Sequence, residues 1–251
     1  MNSQEKFVEI LLSEFPDDRV TYQKSVPTFH PENAEEVSNC FKLANRYNQR
    51  LFIAGFGNNI SPEGDIFQGV ISVKSDRLNQ ILDIVPDDYY VRLGGGFPLK
   101  EINTHLAKVN LWLPHGDLPY VGSVGGAVAV GLNSLYESHD LPLKKYYIES
   151  EIVTPDGAII KPGSVCFKSV SGYDIVRIFA GSWGLLGMIV SATFRVMPET
   201  GAEDYGNIKM TGYTNATLKE SFKDSNIDTD AVYSKKIKKK FDPNHILPVL
   251  F

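Results

Sequence analysis

Apolar positions recur at helical spacing over residues 3–14, where Phe7, Ile10 and Leu11, with Val8 beside them, form one stripe and predict a short amphipathic opening helix. A second helix follows Pro31. Asn33 is suited to cap it, Glu36 stands three residues on, and Val37, Cys40, Phe41 and Ala44 repeat at helical spacing. Leu51-Phe52-Ile53-Ala54 is a short apolar strand that runs into a turn, and Gly69–Val73 is another. Ile81–Val85 and Tyr89–Leu93 flank a Pro-Asp-Asp turn and predict a hairpin. Pro98 suits the first turn of a helix carrying Leu99, Ile102 and Leu106. A second hairpin is predicted from Ile148–Thr154 and Ala158–Lys161, joined by Pro155-Asp156-Gly157. Met188–Met197 is the last strong strand. Residues 199–230 are polar with weak periodicity, a linker or shrunken insertion, and Ala231–Lys240 is a short basic helix. There are no repeats. Helices and strands mix without regular βαβ alternation, which predicts the α+β class.

Composition narrows the picture. A chain of 251 residues, 43% hydrophobic and 22% charged, can close a sizeable core as one large domain or two small lobes. A net charge of -5 argues against nucleic acid as the main partner, because phosphate binding needs a basic surface. Cys40 and Cys166 lie far apart in no metal-ligand spacing, and read as small buried hydrophobes of a reducing compartment. Acids occur early in MNSQEKFVEI, with no long apolar run, so no leader is expected and the expected location is cytoplasmic. No window has the length and apolarity of a membrane span. Walker, HExxH and zinc-cluster patterns are absent from the sequence, so no metal is expected.

The candidate chemistry lies in glycine-rich segments. Ala54-Gly55-Phe56-Gly57-Asn58-Asn59 directly follows a strand. Glycine removes the Cβ that keeps an anion off the main chain, so successive N–H groups can converge on phosphate oxygens, with the Asn amides adding donors. Two glycines after a strand also make an ordinary turn. Gly122-Ser123-Val124-Gly125-Gly126, with Ala129 and Gly131 beyond, belongs to a stretch with five glycines in sixteen residues, 116–131. Its small apolar neighbours suggest a tight backbone path into a closely packed helix whose N-terminus faces an anion; a close helix–sheet crossing without ligand needs many of the same residues. A third segment runs from Lys168 through Gly172-Tyr173-Asp174 and Arg177 to Gly181, Gly184 and Gly187, entering a strand at Met188-Ile189. Gly94-Gly95-Gly96 is better explained as a structural bend, and its spacing is not a dinucleotide fingerprint.

In this order the segments resemble the FAD-binding domain of the vanillyl-alcohol oxidase superfamily, the PCMH type, over about residues 26–198. The closing FDPNHILP, residues 241–248, is similar to that family's C-terminal signature. SVSGYDIVRIFAGSWGLLGMI, residues 169–189, is most similar to the FAD-linked glycolate oxidase and D-lactate dehydrogenase group. The resemblance implies a two-lobed fold with FAD between the lobes: an N-terminal helix and lead-in over 1–25, lobes of about 26–85 and 86–198, and a reduced cap remnant and signature tail over 199–251. It implies that Gly55–Asn59 bind the FAD pyrophosphate from the first lobe, and that Ser123, Gly125 and Gly126 close on it from the second, with Gly131 nearby. Gly187 and Ile189 are then expected to hold the cofactor through the main chain, and Gly172 and Tyr173 to lie towards the isoalloxazine. Ala54, Gly122, Val124, Ala129, Gly184 and Met188 complete the expected cofactor-binding set.

Two departures from the family pattern shape the expected function. Covalent members attach the flavin through a histidine in the first loop; Phe56, Asn58 and Asn59 stand here, so dissociable FAD is expected. The usual cap domain exceeds a hundred residues, whereas the interval here is about 199–240. A flavin oxidising an alcohol also needs a base and a cation for a carboxylate. His115, Tyr173, Asp174 and Arg177 are the candidates, each with a structural explanation beside the catalytic one, and no catalytic residue is assigned. The resemblance therefore implies the FAD subunit of a 2-hydroxy-acid dehydrogenase complex with a redox partner, an iron–sulfur protein among the possibilities. An alternative is a cap-less electron-transfer flavoprotein that meets only redox partners. Lys235–Lys240 is either a solvated helix end or a docking patch.

Overall fold

A computed structural model describes residues 2–23, 25–57, 68–118, 121–135, 140–165, 175–200 and 229–248. Two sheets organise it. The first holds β1 (Val20–Gln23), β2 (Val26–Phe29), β3 (Leu51–Ala54) and β4 (Ile71–Lys74) in the order β1-β2-β4-β3; β1–β2 is antiparallel and the other pairings are parallel. The second is antiparallel, β11-β10-β12-β6-β5, built from β5 (Ile81–Val85), β6 (Tyr90–Gly94), β10 (Tyr147–Val153), β11 (Ile159–Ile160) and β12 (Met188–Arg195). Two short pairs complete the strands: β7 (Leu111–Trp112) with β13 (Met197–Pro198), and β8 (Asn133–Leu135) with β9 (Asp140–Pro142).

The helices form where local signals and burial agree. In α1 (Ser3–Glu14), Asn2 and Glu5 make a reciprocal capping box, and Phe7, Val8 and Leu11 enter the first-lobe core. In α2 (Ala34–Tyr47), Asn33 caps through the Glu36 N–H at 2.9 Å, and Asn48 closes the C-terminus in the left-handed conformation, φ 50°. Shorter helices follow, α3 (Ile102–Leu106), α4 (Val124–Ala129) and α5 (Val176–Phe179), then a long α6 (Thr229–Phe241). No helix among the described residues is long and apolar enough to cross a membrane.

β12 is buried through Phe194 because both of its faces are covered: Met188 and Val190 enter the first-lobe core, while Ile189, Ala192 and Phe194 enter the second. A strand buried on both sides is apolar throughout, which is why it stood out in the sequence. The expected lobe division at 85–86 shifts. β5 pairs with β6 in the second sheet, so the change of sheet falls between β4 and β5, and the hairpin stays whole. Among the C-terminal residues, Ile237 and Phe241 pack on the second-lobe core while Ile246 and Leu247 enter the first, so this segment spans both lobes.

Candidate functional site

β3 ends at Ala54, and Gly55, Phe56 and Gly57 turn towards the start of α4. The two segments touch: a Cβ at Gly55 would stand 2.5 Å from Ser123 Oγ, and one at Gly122 would stand 3.8 Å from the Phe56 ring. Gly57 is left-handed, φ 75°, and a Cβ there would meet nothing within 4 Å among the described residues. The main-chain N–H groups of Gly55, Phe56, Gly57, Gly122 and Ser123 meet no acceptor among the described residues. Gly55, Phe56 and Gly122 are half-buried and Gly57 is exposed, so these N–H groups are open to an acceptor from outside. Neither 54–57 nor 121–131 carries a charged side chain, so within these segments the donors are main-chain N–H groups.

The second loop divides its work. Val124 N–H donates to Phe97 O at 2.9 Å, Gly125 N–H to Gly95 O at 2.7 Å and Gly126 N–H to Ser123 Oγ at 3.2 Å. A Cβ at Gly125 would stand 3.0 Å from Gly95 O and 3.4 Å from Ile189 O, so this glycine faces the sheet and lets α4 approach it. The expectation of a helix end facing an anion is revised. α4 has only six residues, and its first N–H groups are engaged, so Gly122 and Ser123 ahead of it carry the open donors.

The 181–187 turn packs against both β3 and the end of α4. Gly181 and Trp183 N–H donate to Val128 O and Ala129 O at 3.0 and 2.8 Å, tying the turn to the end of α4. Gly131 packs against Gly181. Gly184 lies on β3, where its Cβ would meet Ile53 at 3.6 Å, and a Cβ at Gly187 would run into Val153 O at 2.5 Å. Met188 and Ile189 then enter β12 with buried side chains. The structure therefore brings together Ala54–Gly57, Gly122–Gly126, Ala129, Gly131, Gly184 and Gly187. Asn58, Asn59, Lys168, Gly172, Tyr173 and Asp174 lie outside the described residues, as does Cys166.

His115 is fully buried, with its ring edge-on to Tyr146. Nε2 lies 2.7 Å from Leu141 O, and a carbonyl only accepts, so Nε2 carries the proton and Nδ1 keeps a buried lone pair with no partner. Burial, opposed by the Leu141 bond, pulls its pKa from 6.5 down to about 4. A neutral ring sealed from solvent is a poor match for a base that meets a substrate hydroxyl. Arg177 is exposed on α5. Local sequence reasoning missed Trp183, which holds a left-handed backbone, φ 55°, costly for a bulky residue. It also missed Lys238, buried and bonded to Leu185 O within the turn at 2.9 Å. The available signal was a Lys and an Asp four apart, each directly after an apolar residue, Ile237 and Phe241.

Comparison with known proteins places this geometry. Residues 27–163 match a family described as FAD binding domain. The chain is 28% identical over 169 residues to the D-lactate dehydrogenase of Archaeoglobus fulgidus, covering 67% of this chain and 38% of that protein. It is 25% identical over 170 residues to the glycolate oxidase subunit GlcD of Bacillus subtilis, covering 67% and 36%. It thus spans less than two fifths of the length of either relative. In three dimensions it superposes on an alkyldihydroxyacetonephosphate synthase with a TM-score of 0.63 at 19% identity, over 77% of this chain and 40% of the other, a likeness of fold.

Proposed function

The chain belongs to the family of FAD binding domains, and on that premise we propose that it is the flavin-carrying unit of a dehydrogenase for a small 2-hydroxy acid, acting together with a further redox polypeptide. The observation that carries the proposal is the pair of touching glycine segments, 55–57 and 122–123, with five N–H donors that meet no acceptor among the described residues and no charged side chain of their own. Such a surface suits a diphosphate, and the glycines let it approach the main chain. The loop residues 54–57 offer no histidine or cysteine to form a flavin bond, which supports non-covalent FAD. When bound, FAD supplies the acceptor for the two electrons released as a hydroxy acid becomes an oxo acid. The residues of this chain grip, orient and exclude water: the two loops hold the diphosphate, and the 184–187 turn, packed on β3, walls the cleft.

The substrate class follows from relatives named for D-lactate and glycolate. A further polypeptide follows from the interval between β13 and α6, residues 199–228, too short for the substrate-covering domain that the family resemblance implies. An iron–sulfur protein is the partner class proposed to take the electrons. The second reading, an electron-transfer flavoprotein without its own substrate, is favoured by one observation: His115, the histidine nearest the second loop in sequence, is fully buried and its pKa is pulled down to about 4, so it is no base for a substrate hydroxyl.

The test is flavin uptake followed by anaerobic reduction. The purified chain should take up FAD, turn yellow, and release all of it into the supernatant on acid precipitation. D-lactate or glycolate should bleach it once a co-purifying partner is present. Bleaching by reduced ferredoxin alone, and by no hydroxy acid under any condition, supports the second reading. A chain that takes up no FAD overturns both.

A further inference from the structure

One residue of the basic stretch in α6 behaves unlike its neighbours. Lys235, Lys236, Lys239 and Lys240 are exposed, whereas the Lys238 side chain is 4% accessible and Asp242, one turn on, is 1% accessible. Lys238 Nζ donates to Asp242 Oδ2 at 2.5 Å, to Leu185 O at 2.9 Å and to Leu247 O at 3.4 Å, which uses all three ammonium protons. Asp242 is saturated in turn: Oδ1 accepts the Ile246 N–H and Oδ2 the Leu247 N–H, each at 3.0 Å. Taking two charges out of water is costly and is tolerated only with such complete pairing, yet an apolar pair of similar volume often gives equal or better stability. The pair is therefore better explained by geometry than by stability.

Its position shows which geometry. Phe241 packs edge-on against Phe179 of α5, 5.8 Å between ring centres, and Ile237 joins it on the second-lobe core. A few residues later Ile246 accepts the N–H of Leu51, the first residue of β3, at 2.6 Å, and Asn244 reaches Asn45 of α2 at 2.8 Å. Residues 237–247 thus cross from one lobe to the other, with the ion pair at the crossing. The Lys238 bond to Leu185 O joins that crossing to the turn between Gly184 and Gly187.

We propose that Lys238 and Asp242 are positioning residues for the cofactor cleft: as a clasp between the lobes they hold β3 and the 184–187 turn at the separation FAD requires, so the C-terminal segment governs how tightly FAD is retained. Neither residue touches the cofactor. The inference rests on the FAD reading of the site, and it adds that cofactor affinity is set from outside the glycine loops. Coupling of this kind is reciprocal, so bound FAD must also steady the clasp.

The test has two arms, both on the full chain. First, the double variant Lys238→Met/Asp242→Leu replaces the pair with apolar side chains and removes the bond to Leu185 O. It should fold, with far-ultraviolet dichroism close to that of the unaltered chain and a lower apo melting temperature, because the Ile246 and Leu247 N–H groups lose their acceptor. Its FAD dissociation constant, read by flavin fluorescence, should rise at least tenfold, with an altered visible dichroism of the bound flavin. Second, on the unaltered chain, saturating FAD should slow amide exchange at Ile246 and Leu247 at least threefold. A folded double variant with unchanged FAD affinity and flavin dichroism overturns the inference. So does unchanged exchange at those amides, which decides the matter if the variant does not fold. An unaltered chain that binds no FAD overturns the site assignment, and this inference with it; one that binds FAD but shows neither effect overturns the inference alone.

Discussion

Residues 55–57 and 94–96 are both glycine-rich endings of a strand, one in each lobe. After β3, the N–H groups of Gly55, Phe56 and Gly57 meet no acceptor among the described residues, and a Cβ at Gly57 would meet nothing within 4 Å. After β6 every glycine N–H is consumed: Gly94 donates to Gln80 O at 2.9 Å, Gly95 to Val190 O at 2.6 Å and Gly96 to Leu78 O at 2.8 Å. Cβ atoms on these three would stand 2.2, 2.1 and 1.7 Å from the carbonyl oxygens of Leu78, Ile189 and Ser75. The first cluster keeps donors available, and the second lets main chain touch main chain. What separates a binding loop from a packing bend is the destination of its N–H groups, which composition does not reveal.

The sharpest way to break this comparison is Gly96→Ala. The new methyl group would sit within covalent-like distance of a backbone oxygen that no side-chain rotation can move. The expected loss is about 4 kcal/mol or more, a large share of the stability of an ordinary domain. Chemical denaturation and soluble yield measure it. Gly55→Ala, whose methyl group meets only the Ser123 hydroxyl, should instead fold and bind FAD more weakly. If Gly96→Ala melts within two or three degrees of the unaltered chain, the second cluster is not closed in the sense argued.

The features legible in the sequence are those written over short distances. The Asn33–Glu36 cap, the two Pro-Asp turns and the doubly buried run of β12 are each set by neighbours a few residues away. The bend at Gly94–Gly96 was legible from its run of three glycines, although the carbonyl groups it packs against are distant in sequence. β1 and β2 escaped notice because β1 is a mostly exposed edge strand, so no apolar alternation marks it, and its turn places Ser25 at φ 67°. The sheet to which β5 belongs depends on pairing rather than pattern. Lys238 was hidden by its company: four exposed lysines surround it, and its partner Leu185 is 53 residues earlier in the chain. Each site loop could be seen as a stretch of unobstructed main chain, but the contact of Gly55 with Ser123 is a product of folding, and only the family resemblance anticipated the two loops acting together.

His115 tests how well sealed the closed side is, since it lies between β7 and the second loop and is fully buried. Its folded pKa of about 4 is below the ordinary 6.5, so between those values the unfolded chain binds a proton that the folded chain does not. Stability then rises with pH across the window: this contribution is fully present above about pH 6.5 and is lost as pH falls towards 4. At about 1.4 kcal/mol per pH unit, the loss across the window is about 3 kcal/mol. His115→Gln keeps an N–H for Leu141 O and does not titrate. Its denaturation midpoint should fall less steeply between pH 6.5 and 4 than that of the unaltered chain. Parallel pH profiles would show that water reaches the ring and that this side of the site is open.

The smallest effect is expected on the open side, at Gly57. With φ at 75° and nothing within 4 Å of a Cβ, an added methyl group meets no clash and pays only for the left-handed backbone, about 1 kcal/mol. In a domain of this size that corresponds to roughly 2–4 °C in melting temperature. Asparagine enters the left-handed region more readily than alanine, so Gly57→Asn should lose less than Gly57→Ala. Thermal melts of the two variants without FAD decide the point. Equal losses would mean that the backbone at 57 relaxes out of the left-handed conformation, and a loss as large as that of Gly96→Ala would mean that space open among the described residues is filled in solution by other parts of the chain. In either case the contrast between an open and a closed glycine cluster would not survive, and the five unengaged N–H groups would lose their standing as the place where a diphosphate binds.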